Sequence, residues 1–247
     1  MTGAVEVPDP NTGGEPMASN LKYGYVAPML REGSALIQSL EKKQETRVHG
    51  RRMVRGFIGD KECVVIISGC GKINSASATQ LLIDTFDLEE IIHFGCAGAL
   101  SNELKIGDLV LADTVIEYDY YRKFGRPERL PEHETSESLS NSIFNFCVAA
   151  RKRITKGRIL SGNEDIVTTA RRDELLALHQ GLSVDWESAG CVAVCNQAQV
   201  HCAVLRGIVD FAYEGTHEEF PQNLQKVSAA LCEALIQHAL QASSNTD

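Results

Sequence analysis

Apolar and polar positions alternate along this chain in two rhythms, one of strand length and one of helix length. Lys22–Ala27 is a short β-prone run, and Pro28 opens a turn into a helix over Glu32–Glu41 with Ala35, Leu36 and Leu40 on one face. Met53–Ile58 and Cys63–Ser68 read as strands joined by the hairpin turn Gly59-Asp60-Lys61. A helix follows over Ile73–Phe86, with Ile73, Ala76, Leu81, Leu82 and Phe86 inward. Glu90–Phe94 is the next strand and ends in the small-residue turn Gly95–Ala99. Lys105–Asp108 turns into a further buried strand that reaches Asp113. Helices over Leu139–Arg153 and Ala170–Leu178 flank a strand at Gly157–Ser161. Leu182–Val184 leads into Asp185 and Glu187, and a tightly packed helix then runs to Gln197. His201–Val209 is a final apolar strand of the kind found centrally in parallel sheets. The last helix, Pro221–Leu240, turns Leu224, Val227, Leu231, Leu235 and Ile236 inward.

This alternation predicts one α/β domain over residues 21–241. Residues 1–20, rich in Pro, Gly, Asn and Thr, are expected to be a disordered leader, and 242–247 a frayed tail. The polar, Pro-containing stretch 117–138 reads as a long functional or interface excursion.

Composition narrows the function classes. The chain has 247 residues and a net charge of -9, which argues against nucleic acid as a partner, since phosphate backbones are held by Lys and Arg patches. No apolar run reaches the roughly 20 residues of a membrane span, and the N-terminus has no signal-peptide pattern. Eight cysteines sit mostly within apolar runs with no CxxC pair, which points to a reducing, cytoplasmic compartment. Cys191, Cys195 and Cys202 could be metal ligands, but small buried apolar residues are the expected reading, so no metal is assigned.

Candidate chemistry gathers where strands end. Asp185 and Glu187 stand at a strand-to-helix junction, the crevice position of α/β folds, and an ionised carboxylate there can accept hydrogen bonds from a vicinal diol. Capping the following helix would use the same acids, and the residues alone leave both readings open. Ser68-Gly69-Cys70-Gly71-Lys72 is a tight strand-to-helix turn without the spacing of a P-loop or a dinucleotide fingerprint. Asp210 ends the last strand among apolar neighbours, where desolvation would raise its pKa and let it donate a proton near neutral pH, a plain helix cap or strand-end acid being the alternative.

Taken in order, Met29-Leu30-Arg31-Glu32, Ser68-Gly69-x-Gly71-Lys72, Phe94-Gly95-Cys96-Ala97-Gly98, Ile106-Gly107-Asp108, Leu160-Ser161-Gly162, Val184-Asp185-Trp186-Glu187 and Val209-Asp210 resemble the nucleoside phosphorylase/nucleosidase superfamily. The nearest branch is the 5'-methylthioadenosine/S-adenosylhomocysteine nucleosidases, and the likeness covers about residues 22–240. The resemblance implies a three-layer α/β/α fold around a mixed, partly closed sheet, and a homo-oligomer, here expected to be a homodimer. It also implies a small purine nucleoside as substrate and no cofactor.

By position, Glu32 matches the family's water-activating glutamate, Glu187 the acid that grips the ribose hydroxyls, and Asp210 the acid that protonates the purine at N7. Met29, Asp185 and Trp186 fall at the sugar and base. Cys96, Ala97 and Gly98 form the floor of the pocket, and the segment from Ser161 to Ile166 flanks the base. Phe124 and Arg126 fall where a neighbouring subunit lends groups to the 5' substituent, and Arg126 hints at an anionic substituent. Trp186 replaces the family's usual Met, and Asn163-Glu164-Asp165 replaces a stretch that often holds a base-stacking aromatic.

Two rival functions follow from the same resemblance. A phosphate-dependent purine or uridine phosphorylase would hold phosphate with Arg31. His93 and Cys96, however, stand where phosphorylases carry Arg and Ser, and both changes favour water as the nucleophile. A non-catalytic binding or storage member is the second rival, and retention of Glu32, Glu187 and Asp210 together argues against it.

Overall fold

The computed structural model describes residues 21–120 and 130–243. The expected leader, the last four residues of the expected tail, and Phe124 and Arg126 lie outside the described residues. In chain order the elements are β1 (Tyr23–Ala27), α1 (Leu30–Ser39), β2 (Glu41–Val48), β3 (Arg51–Ile58), β4 (Lys61–Ile67), α2 (Lys72–Thr85) and β5 (Glu90–Ala99). There follow β6 (Leu109–Glu117), β7 (Glu132–Glu134), α3 (Glu137–Ala149), β8 (Ile154–Ser161) and α4 (Thr169–His179). The chain ends with β9 (Ser183–Asp185), α5 (Ser188–Ala198), β10 (His201–Asp210) and α6 (Thr216–Ser243).

The ten strands among the described residues belong to one mixed sheet. It closes on itself in part: β10, β6, β8, β9 and β5 form a ring because β10 pairs with both β5 and β6. The arm β1-β4-β3-β2 extends from β5 as an open sheet. Two apolar layers cover its faces. One is formed with α2 and α5, centred on Leu82, Ile91 and Val192. The other is formed with α1, α3 and α6, centred on Leu36, Phe94, Ile143 and Leu235. This is the expected three-layer fold around a partly closed sheet.

Several local expectations need correction. The first helix stops at Ser39, and Glu41–Val48 forms an unanticipated edge strand whose side chains are exposed but for a half-buried Val48. A charged edge strand carries no apolar period to betray it, and such charges protect its open side from pairing with another chain. The inward face of α2 is Ser75, Ala78, Thr79 and Leu82, whereas Ile73 is 82% exposed. The cause is close helix packing: a Cβ on Gly190 of α5 would collide with the Lys72 carbonyl of α2, so only small residues fit between them. The glycines after Phe94 form no turn, because β5 runs straight through Gly95–Ala99. β10 is parallel to β5 on one side but antiparallel to β6 on the other. The last helix begins at Thr216 with Pro221 inside it, and it continues to Ser243.

Candidate active site

A cavity of about 310 Å3 opens where β1, β5, β9 and β10 end. It brings together Met29, Glu32, Cys96, Ala97, Gly98, Ile166, Asp185, Trp186, Glu187 and Asp210, ten of the residues singled out in the sequence. Arg31 is exposed and does not line it.

Glu32 enters from the first turn of α1. Its Oε2 accepts the Met29 amide at 3.0 Å, which caps the first turn of α1, and its Oε1 accepts the Cys96 amide at 2.6 Å. Burial raises its pKa, and the Cys96 amide and the nearby Arg206 charge pull it back. Gly95 is the position that permits this. A Cβ there would lie 2.8 Å from Glu32 Oε1 and 2.6 Å from Arg206 Nη1, so the main chain must be bare where the two charges approach.

Glu187 follows β9 at the N-cap position of α5, where its side chain makes no capping bond. Its Oε1 accepts the Gly71 amide at 2.9 Å, and its Oε2 lies 3.9 Å from Arg206 Nη2. Gly69 and Gly71 have φ of +88° and +92°, so the tight turn read in the sequence does require glycine. The amide it presents faces a carboxylate. Burial pushes Glu187 up to about 7, and the charges of Asp185 and Glu32 add to the rise while Arg206 and the Gly71 amide oppose it.

Asp210 ends β10 at a shift in register, and only its partner Gly98 leaves room, since a Cβ there would lie 2.8 Å from Asp210 Oδ1. Oδ1 accepts the Ala212 amide at 2.8 Å and the Thr216 hydroxyl at 3.2 Å. Oδ2 has no protein partner among the described residues. Burial raises this pKa, as the apolar sequence around it predicts.

Asp185 is committed to the protein. It accepts the Glu187 and Ser188 amides at 3.0 Å each, the Ser188 hydroxyl, and Arg206 Nε at 2.7 Å. Burial alone would raise its pKa, but the Arg206 charge and the Ser188 hydrogen bonds outweigh it and hold the carboxylate low. The capping reading and the crevice reading of the acid pair are therefore divided, Asp185 taking the first and Glu187 the second. Trp186, half buried, donates from Nε1 to the Glu164 carbonyl at 2.9 Å. Arg171 clamps the Glu164 carboxylate through two bonds of 2.9 and 2.8 Å.

Arg206 is the residue that sequence reading missed. Fully buried at 0% exposure, it ties Asp185, Ser188 and His93 together and leaves Nη1 without a partner among the described residues. Its signal was available: one arginine in a ten-residue apolar strand must find a carboxylate when buried. Since a guanidinium only donates, His93 Nδ1 accepts at 2.9 Å. His93 then carries its proton on Nε2, facing Ser75 Oγ at 3.1 Å. Burial first, and the Arg206 charge second, lower the His93 pKa to about 4, so the ring is neutral.

Comparison with known proteins places this geometry. The 5'-methylthioadenosine/S-adenosylhomocysteine nucleosidase of Thermotoga maritima is 28% identical over 201 residues, covering 81% of this chain and 87% of the relative. The protein of the same name from Staphylococcus haemolyticus is 28% identical over 223 residues, covering 86% and 98%. The nucleosidase of Helicobacter pylori, solved with butyl-thio-DADMe-Immucillin-A, superposes with a TM-score of 0.82 at 25% identity over 90% of this chain and 98% of that one. Futalosine hydrolase of Helicobacter pylori strain 26695 superposes with a TM-score of 0.82 at 26% identity over the same shares. The profile of the phosphorylase superfamily matches residues 22–240, which takes in every strand and helix described above except the last turn of α6, and the chain belongs to that superfamily.

Proposed function

We propose that the chain is a purine nucleosidase that hydrolyses the N-glycosidic bond of 5'-methylthioadenosine and S-adenosylhomocysteine, releasing adenine and the thioribose. The observation that carries this reading is the charge balance of the site. Glu32, Asp185 and Glu187 surround a single buried guanidinium, Arg206, so the pocket repels a phosphate dianion and suits water. The phosphorylase alternative loses its cations: Arg31 is exposed outside the cavity, and His93 is neutral and bonded through both ring nitrogens.

The chemistry follows from placement. Asp210, whose pKa burial raises, gives a proton to purine N7 as the bond to C1' breaks. Glu187 accepts hydrogen bonds from the ribose hydroxyls, which replace part of the solvation that burial removed and favour its ionised form. Water adds to C1' of the cationic sugar while Glu32 takes its proton. The base leaves as neutral adenine, and the sugar carries the new hydroxyl. Trp186 and Ile166 supply apolar surface to the base, in place of the aromatic that Asp165 displaces.

A homodimer fits the exposed Leu30 and Ile73, which stand beside or near the cavity residues Met29 and Cys70. No helix among the described residues is long and apolar enough to cross a membrane. We place the protein in the cytoplasm, feeding adenine to purine salvage and thioribose to methionine salvage.

The test is to incubate the enzyme with methylthioadenosine, S-adenosylhomocysteine, adenosine and inosine, with and without phosphate, and to separate the products. Free adenine and thioribose at rates indifferent to phosphate are expected, and Glu32→Gln should lower kcat by roughly 100-fold or more. Sugar 1-phosphate formed only when phosphate is present would overturn the reading.

A further inference from the structure

Three of the eight cysteines converge where the sheet core meets the α5–β10 corner. Cys191 and Cys195 share one face of α5 at helical spacing, and Cys202 is the second residue of β10. All three are buried, and their Sγ atoms lie within 4.8 Å of one another, with Cys191 and Cys202 at 4.0 Å. Cys63 and Cys147 are buried too, but they belong to no such cluster. They show what a cysteine used only as a small apolar residue looks like here.

We propose that Cys191, Cys195 and Cys202 form a binding site for one soft, three-coordinate metal ion of the Cu(I) type. A metal–sulfur bond of about 2.3 Å puts three sulfurs of a trigonal site about 4.0 Å apart, so the thiols need shifts of less than about 1 Å to close on an ion. Thiolate donors select soft metals. Zinc would require a fourth ligand, and among the described residues no imidazole or carboxylate joins the cluster. His93 is spent on Ser75 and Arg206.

Cys191 and Cys202 already lie within hydrogen-bonding reach of each other, and either sulfur can donate. The ion replaces the thiol protons, which pass to the buffer. Entry is through the corner between Cys195 and Cys202, where residues 196–199 and 201 are exposed.

The test uses the full-length reduced protein under anaerobic conditions, titrated with Cu(I) held by a chromophoric chelator. One equivalent should transfer to the protein, and X-ray absorption should show three sulfur neighbours at about 2.3 Å. Cys195→Ala and Cys202→Ala should each weaken binding by more than the roughly 10- to 100-fold typical of a lost outer-shell partner. Cys147→Ala should bind as the unaltered protein does. Transfer no greater than in Cys202→Ala, or a metal shell without three sulfurs, would overturn the proposal. The absorption measurement needs no variant, so a substitution that fails to fold leaves the test intact.

Discussion

β5 and β10 lie side by side in one parallel register, yet their two halves behave as different materials. In the first half Ile91 faces Cys202, Ile92 faces Ala203 and Phe94 faces Leu205, all buried apolar side chains in the two core layers. In the second half Gly95 faces Arg206, Cys96 faces Gly207, and Gly98 faces Asp210 across a register shift. There one strand gives up its side chains so that the other can hold charges beside the main chain. The first half resembles any packed interior and gains stability from burial. The second half buries a guanidinium and four carboxyls, Glu32, Asp185, Glu187 and Asp210, whose desolvation costs more than ordinary packing returns. The lesson is that the candidate site occupies the end of a strand pair whose beginning supplies the stability.

The sharpest way to break that comparison is to alter one residue in each half. Asp210→Asn should reduce kcat by roughly 10²- to 10⁴-fold, the usual range for a lost general acid. Its unfolding free energy should stay level or rise, because burial disfavours the ionised carboxylate it removes. Leu205→Ala should do the reverse, costing about 2–5 kcal/mol of stability while leaving kcat/KM unchanged at temperatures where it remains folded. Denaturant unfolding and initial rates on both variants check this. A Leu205→Ala protein that is folded but inactive would erase the division between the two halves.

A smaller effect is carried by pH. Glu187 is pushed to about 7 from an ordinary 4.5, so the folded state holds a proton that the unfolded chain has released over that interval. Its contribution to stability is complete below pH 4.5 and is lost as pH rises through about 7. Glu187→Gln removes that dependence. The unfolding midpoint of the unaltered protein should therefore fall relative to Glu187→Gln as pH rises from 4.5 to 7. Glu32 and Asp210 have the same sign and Asp185 the opposite, but all three remain in both proteins and largely cancel in the difference. Parallel curves for the two proteins would show that Glu187 ionises normally.

How much of this could be read from the residues varies with physical cause. The core strands and amphipathic helices announce themselves through period, and strand-end acids such as Asp210 stand out because apolar neighbours leave them no ready partner. β2 was illegible because an exposed edge strand needs no apolar alternation. On α2 the period places Leu82 inward with Leu81 and Phe86 beside the core, but packing against Gly190 of α5 selects small and hydroxyl side chains in the first turns and leaves Ile73 exposed. Arg206 was passed over inside an apolar run, although a charge at such a position demands a partner. Which member of the Asp185–Glu187 pair is held by the protein and which is left closer to the cavity depends on the location of Arg206, and local sequence does not contain that.

Trp186 sharpens the comparison at its finest grain, because it belongs to neither half of the strand pair. Its indole N–H holds the Glu164 carbonyl and so ties the segment beside the cavity to the end of β9. Phenylalanine would keep the apolar ring and lose only that bond, so Trp186→Phe should cost about 1 kcal/mol of stability. The freed segment should raise KM a few-fold and leave kcat near its original value, because no proton in the reaction passes through the indole. A fall in kcat comparable with that of Asp210→Asn would instead place Trp186 in the chemistry. It would mean that ring position at residue 186, and not only charge at the ends of β5 and β10, sets the approach of the base to its acid.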